Sequence, residues 1–344
     1  MNFLKNAWYV AALSDAVTTT PIQRVILGEP VVLYRTAQGA VVGLSDRCPH
    51  RFAPLHMGSV KGDCIECPYH GLRYGPSGAC EHNPHGDHRI PQAAKVKPYT
   101  LRERDGLVWI WMGANDQADL GQLMDLTDFF GHGSLAPVNG DYVLNAHYET
   151  VLDNLLDLSH APFLHPTTLA DAASIKTLRV EMAQEGNSVW SRHYAPDTPA
   201  SPQFKPFWHS PDPLCDGHAH MRWTPPGSLQ LDVGVTARGR PDSEGLYIHM
   251  VHMLTPIDMT HTRYTWIAAR NFLQDNTDVS QAMQAQINHA FMHEDEPMIE
   301  AVARNMDSHD LLSLNPVLLP ADAAGIRARR ILKKLIEAEQ GQAA

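Results

Sequence analysis

Apolar positions in the first 112 residues fall in short runs, at 24–26, 31–34, 41–44 and 107–111, separated by Gly, Pro and Asp. Short runs between turn formers predict strands, here of a small antiparallel all-β unit. Residues 7–13, Ala-Trp-Tyr-Val-Ala-Ala-Leu, are aromatic and β-branched enough to form its first strand. A secretory signal would carry a longer apolar stretch and a small-residue cleavage site. Residues 113–128 are polar, then mixed, as a connection would be. From about residue 140 two periods alternate. Strand-like segments lie at 142–148, 189–193, 228–235, 246–254 and 264–272, and helical ones at 150–159, 279–304 and 321–339. In the helix at 279–304, Met283, Ile287 and Phe291 recur every four residues, and Met298 and Val302 continue the stripe. The Pro-rich stretch 196–213 reads as a long loop over a pocket. The pattern predicts an α+β chain: an all-β domain at 1–118, then a domain at 119–344 whose helices cover an antiparallel sheet.

Composition narrows the classes. The chain has 344 residues, room for two domains, with 44% hydrophobic and 19% charged positions. A net charge of −11 argues against nucleic acid or an anionic membrane as partner. No apolar run approaches the length of a membrane span; the nearest is 107–112. Two of the five cysteines fall in the motif described next, and Cys64, Cys80 and Cys215 read as free thiols of a reducing compartment. A cytoplasmic protein is expected.

Candidate chemistry begins with Cys48-Pro-His50 and, after sixteen residues, Cys67-Pro-Tyr-His70. Two thiolates and two imidazoles in paired clamps are the ligand set of a Rieske [2Fe–2S] centre, one iron on two Cys and the other on two His. Imidazole in place of thiolate raises the potential, so such a centre passes single electrons onward. Gly58, Gly62, Gly71 and Gly75 allow tight turns around the clamps, and Pro49 and Pro68 stiffen them. The competing reading is a zinc knuckle, since Cys64 and Cys67 also form a Cys-x-x-Cys pair.

A second cluster is Asn154-x-x-Asp157-x-x-His160, with His165 five residues further on. At three-residue spacing the first three drift slowly around one helix face. Pro162 is expected to end or distort the helix so that His160 and His165 converge. Leu152, Leu155, Leu156 and Leu158 bury this helix, so its polar residues need partners. Two His and one carboxylate with open positions form the facial site of non-haem Fe(II) oxygenases. The carboxylate candidate is Asp295, an acid on the apolar stripe of the long helix, with Glu294 and Glu296 as alternatives. Pro297 would kink the helix and aim Asp295, and His293 could support the site. The plain alternative is a pair of satisfied core histidines.

Together these motifs resemble the oxygenase components of Rieske non-haem iron oxygenases. The likeness runs through the whole chain. Asn6-Ala-Trp-Tyr-Val-Ala, Cys48-Pro-His-Arg-Phe-Ala-Pro-Leu55 and Val151-Leu-Asp-Asn-Leu-Leu-Asp-Leu-Ser-His160 resemble the vanillate O-demethylase, dicamba O-demethylase and toluenesulfonate monooxygenase branch. The resemblance implies a homotrimer whose cluster in one subunit feeds the iron of the next, with Asp157 bridging His70 to His160 across that interface. It implies electrons from NAD(P)H through a separate reductase, sometimes with a ferredoxin. It implies hydroxylation of an aromatic, aromatic-acid substrate, most simply O-demethylation, with ring or side-chain hydroxylation as the alternative. His252 matches a substrate-contacting His of dicamba-type members, whereas Leu231 and Met283 stand where two polar contacts would be. A reading of another class, a Rieske electron carrier or zinc module without oxygenase activity, would be favoured by loss of His160, His165 or Asp295, and all three are present.

Overall fold

The structure, a computed structural model, describes residues 3–130, 137–170 and 172–343. It divides into two compact units, Met1–Leu123 with Thr255–Asp258, and Met124–Leu254 with Met259–Ala344.

The first unit is built of short strands: β1 (Trp8–Leu13), β2 (Ile22–Ile26), β3 (Glu29–Arg35), β4 (Val41–Ser45), β5 (Ser59–Lys61), β6 (Cys64–Glu66), β7 (Arg73–Tyr74), β8 (Cys80–His82), β9 (Leu101–Arg104) and β10 (Leu107–Trp111). They pair as three small sheets, β1-β10-β9, β2-β3-β4 and β5-β6-β7-β8. Val32, Tyr34, Leu44, Leu55, Ile65 and Tyr74 form a buried core that also encloses Cys48 and Cys67. Burial of this apolar surface fixes the bases of both clamp loops.

The second unit holds a seven-stranded sheet: β11 (Val138–Leu144), β12 (Arg179–Glu185), β13 (Ser188–Pro199), β14 (Leu214–Thr224), β15 (Ser228–Thr236), β16 (Leu246–Pro256) and β17 (Thr262–Arg270). Strands β12 to β17 meander in sequence order, and β11 returns to pair with β17. The helices are α1 (Thr127–Phe130), α2 (Tyr148–Leu156), α3 (Ala161–Leu164), α4 (Thr277–His289), α5 (Glu296–Asn305) and α6 (Ala323–Ala343). On α6, Arg329 is 4% exposed and donates to the carboxylates of Asp153 and Glu149, which ties that helix to α2.

Four expectations shift. The strand expected at 142–148 lies at Val138–Leu144, and His147 instead caps the start of α2, its Nδ1 accepting from the Glu149 N–H at 3.4 Å. The loop expected from 196 begins at 200, because β13 continues through Pro199. It does so over a bulge between Ala195 and Thr198 that leaves Pro196 out of the ladder. The break after α2 comes at Asp157, not at Pro162: the Asp157 carboxylate accepts the Ser159 N–H at 2.9 Å, and Pro162 sits harmlessly in the first turn of α3.

The fourth shift concerns the long helix. Between α4 and α5 the turn Ala290–Asp295 is π-helical. Its extra residue rotates everything beyond it, so the buried stripe of Met283, Ile287 and Ala290 continues at Asp295 and Ile299. Met298 and Val302, expected on that stripe, are 50% and 42% exposed.

Candidate active site

The two clamp loops of the first unit are built alike. Cys48 donates its N–H to Ala53 O at 2.9 Å and accepts from Phe52 N at 2.9 Å. Cys67 donates to Leu72 O at 2.8 Å and accepts from Gly71 N at 3.0 Å. In both, the fourth residue after the Cys is left-handed: Phe52 has φ 61° and Gly71 φ 70°. Glycine meets that demand without cost; Phe52 meets it under the Arg47 guanidinium, 4.0 Å above its ring. Of the other glycines, Gly62 is left-handed, while Gly58 and Gly75 serve close approach, since a Cβ would run into Glu66 O or the Glu81 carboxylate. The rings of His50 and His70 lie 4.4 Å apart at the surface, and His70 Nδ1 has no hydrogen-bond partner. Burial pushes the Cys67 thiol up, opposed by the backbone N–H groups of Tyr69 and His70. Tyr74 Oη lies 3.3 Å from Cys48 Sγ. Two buried sulfurs with N–H and O–H groups beside them, and two imidazoles at the rim, suit a cluster with one iron on each pair. Cys64, the thiol needed for a zinc knuckle, donates to the Glu81 carboxylate at 3.3 Å.

In the second unit the break at Asp157 and the π turn bring together three donors. His160, His165 and Asp295 each offer one ligand atom, all within 4.8 Å of one another. Asp295 Oδ1 is 3.5 Å from His160 Nε2 and 3.1 Å from His165 Nε2. Each donor is oriented from behind. His160 Nδ1 bonds the Asp157 carbonyl, and His165 Nδ1 bonds the Glu294 carboxylate at 2.7 Å. Asn154 Nδ2 donates to Asp295 Oδ1 at 3.0 Å. Burial holds the His160 imidazole below its ordinary pKa against the pull of Asp295. For His165 burial pulls the same way, and the Asp295 and Glu294 carboxylates overcome it. Two imidazole nitrogens and a carboxylate oxygen with Nδ1 partners fixed behind them match the donor set and outer shell of a facial iron site. Glu294, an alternative ligand in the sequence, supports His165 instead. Its role was hidden because the π turn, not helical spacing, lets neighbouring Glu294 and Asp295 both face one imidazole. Glu296 is half-buried and His293 exposed, its ring tilted against that of His289.

Beside the donors lies a cavity of about 180 Å³. Ala161 and Pro162, next to His160, form one wall, and Ile287, Ala290 and Phe291 of the π-turned helix another. Strands β15 and β16 supply Leu231, Val233, Ile248 and Met250. Leu231 therefore stands at the cavity as expected. His252 is placed behind it, with its ring against Phe291 and its Nδ1 2.6 Å from Tyr264 Oη. Its burial drives its pKa down to about 3. His193 on β13 does line the cavity, and it is not among the candidates read from the sequence. The signal was there: Ser191 and His193 share one strand face, and Ser191 Oγ lies 3.0 Å from His193 Nε2. Burial lowers the His193 pKa to about 4.

Comparison with known proteins agrees with both centres. The Rieske [2Fe–2S] domain matches residues 7–99, and the vanillate O-demethylase oxygenase C-terminal domain matches residues 144–338. The oxygenase component of chloroacetanilide N-alkylformylase from Rhizorhabdus wittichii is 38% identical, over 98% of this chain and 97% of that protein. The oxygenase component of dicamba O-demethylase from Stenotrophomonas maltophilia is 31% identical, over 98% and 99%. The crystal structure of dicamba monooxygenase bound to dicamba superposes with a TM-score of 0.92 at 31% identity, covering 99% of this chain and 100% of that one. Fold, donor sets and relatives converge: the chain belongs to the vanillate O-demethylase family of Rieske oxygenase components, oxidoreductases that incorporate O₂ with electrons from a separate reductase.

Proposed function

We propose that this chain is a terminal monooxygenase that hydroxylates an alkyl carbon bonded to oxygen on an aromatic ring. The hydroxylated methoxy carbon is a hemiacetal, which collapses to a phenol and formaldehyde. The observation that carries this reading is the apolar cavity, whose walls Ala161 and Pro162 adjoin the donor His160. It is of the size that takes one substituted ring, since a cavity of roughly 150 Å³ holds benzene. In this reading Cys48, His50, Cys67 and His70 hold the cluster, and His160, His165 and Asp295 hold the iron. When bound, the cluster supplies single electrons and the iron supplies open positions for O₂. Asn154 and Glu294 keep Asp295 and His165 aimed, and the apolar walls present one carbon and exclude water. Electrons from NAD(P)H reach the site through a reductase, with or without a ferredoxin, in the cytoplasm. The subunits form a homotrimer in which Asp157 links His160 to His70 of the partner subunit. Removal of an N-bound alkyl group is the second reading, favoured by the relative that acts on chloroacetanilides.

The test is metal content with product analysis. Brown protein with about three irons per chain, falling to about two in His160→Ala, is expected. Formaldehyde release from methoxylated aromatics with reductase and NAD(P)H completes it. Colourless protein carrying zinc overturns the reading.

A further inference from the structure

We propose that the outer side of the π turn carries a second metal site, in which His289, His293 and Glu294 take a divalent cation of zinc type and draw on the carboxylate that supports the iron site. The outer site stands on its own geometry; only its effect on iron rests on the reading above.

His289 ends α4, and His293 follows four residues later within the π turn. Residues four apart share a helix face, and two imidazoles at that spacing are a metal-binding pattern. Their rings lie 5.1 Å apart, tilted by 53°. Both residues are exposed, His289 with 57% of its side chain in water, so a cation reaches them without any opening of the fold. The third donor is Glu294. Both of its short contacts use Oε2, to His165 Nδ1 at 2.7 Å and Thr168 Oγ1 at 2.7 Å. Its Oε1 makes neither contact and lies 4.0 Å from His289 Nε2. That is too long for a hydrogen bond, and it leaves room for an ion about 2.0–2.2 Å from each atom. Two imidazoles and a carboxylate suit zinc, whereas magnesium and calcium take oxygen donors. Among the described residues only His160, His165 and Asp295 already hold three donors within 4.8 Å. The outer set closes when the exposed rings turn, so it binds a cation more weakly and exchanges it.

Glu294 then serves two metals with one carboxylate. A cation on Oε1 draws charge away from His165 Nδ1, and a metal is held less well when the group behind its ligand is weakened. By linkage, each metal lowers the affinity of the other by the same factor.

The experiment is calorimetric titration of Zn²⁺ into the cluster- and iron-loaded protein, beside His289→Asn and His293→Asn. Zinc binding is expected in the parent and about tenfold or more weaker in either variant, whose visible spectrum and iron content stay intact. No zinc binding in the parent, or equal binding in parent and variants, overturns the site. Iron retained against a fixed amount of an Fe(II)-selective chelator is the second measurement. Zinc is expected to lower the parent's retention about fivefold or more and to leave the variants' retention unchanged. Equal iron loss in parent and variants means that zinc enters the iron site directly, and overturns the coupling. A parent that carries the cluster but no further iron counts against the proposed function alone, because the variants' effect on zinc binding still decides the outer site.

Discussion

At the scale of single residues, the iron site depends on groups that touch no metal. Glu294→Gln keeps the size of the side chain but removes the charge facing His165 Nδ1, and is expected to lower iron affinity about 10–100-fold while leaving the cluster's visible bands unchanged. Iron titration after chelation reads the difference. His252 carries a different consequence. Its pKa falls from an ordinary 6.5 to about 3, so the folded chain keeps it neutral while the unfolded chain takes up a proton. Its contribution is fully present above pH 6.5 and is lost as pH falls toward 3, at about 1.4 kcal/mol per pH unit. Denaturant unfolding between pH 6.5 and 5 is expected to show a shallower decline in His252→Phe than in the parent, and parallel curves would refute this. The donor residues themselves were readable from sequence, because Cys-x-His, Cys-x-x-His and a carboxylate on an apolar stripe are patterns that packing alone does not produce. Glu294 was not, because its role arises from the His165 imidazole that faces it across the fold.

At the scale of elements, the legible features are those with one period. Strands β13 and β15 to β17 and helices α2 and α6 were visible as alternation or as an apolar face, though some of their ends moved by several residues, and β14 was not read as a strand. What stayed hidden were interruptions: the bulge at Pro196, the carboxylate cap at Asp157 and the π turn Ala290–Asp295. Each is a local change of register, and a periodic pattern cannot announce where its own period changes. The π turn makes a clear prediction. Ile299→Ala is expected to cost about 2–4 kcal/mol, whereas Met298→Ala, one position earlier and half exposed, stays below about 1 kcal/mol. A straight helix would reverse the order, and chemical denaturation of the two variants decides.

At the scale of the molecule, the two centres lie in separate compact units, and no helix among the described residues is long and apolar enough to cross a membrane. In the proposed homotrimer a chain's own cluster need not serve its own iron. Co-expressed His70→Ala and Asp295→Ala chains, each inactive alone, are expected to regain formaldehyde release when mixed in one oligomer, measured against each variant purified separately. No recovery would place both electron transfer and oxygenation within one subunit. The cavity has a further consequence. Its metal-facing edge comes from helices, while Leu231, Val233, Ile248 and Met250 hang from neighbouring strands of the sheet. Rigid strands can exchange one apolar side chain for another without moving the helices that carry the donors. The oxidising machinery and the mould for the compound are thus separately mutable parts, and a chain so divided can acquire a new diet while keeping its chemistry.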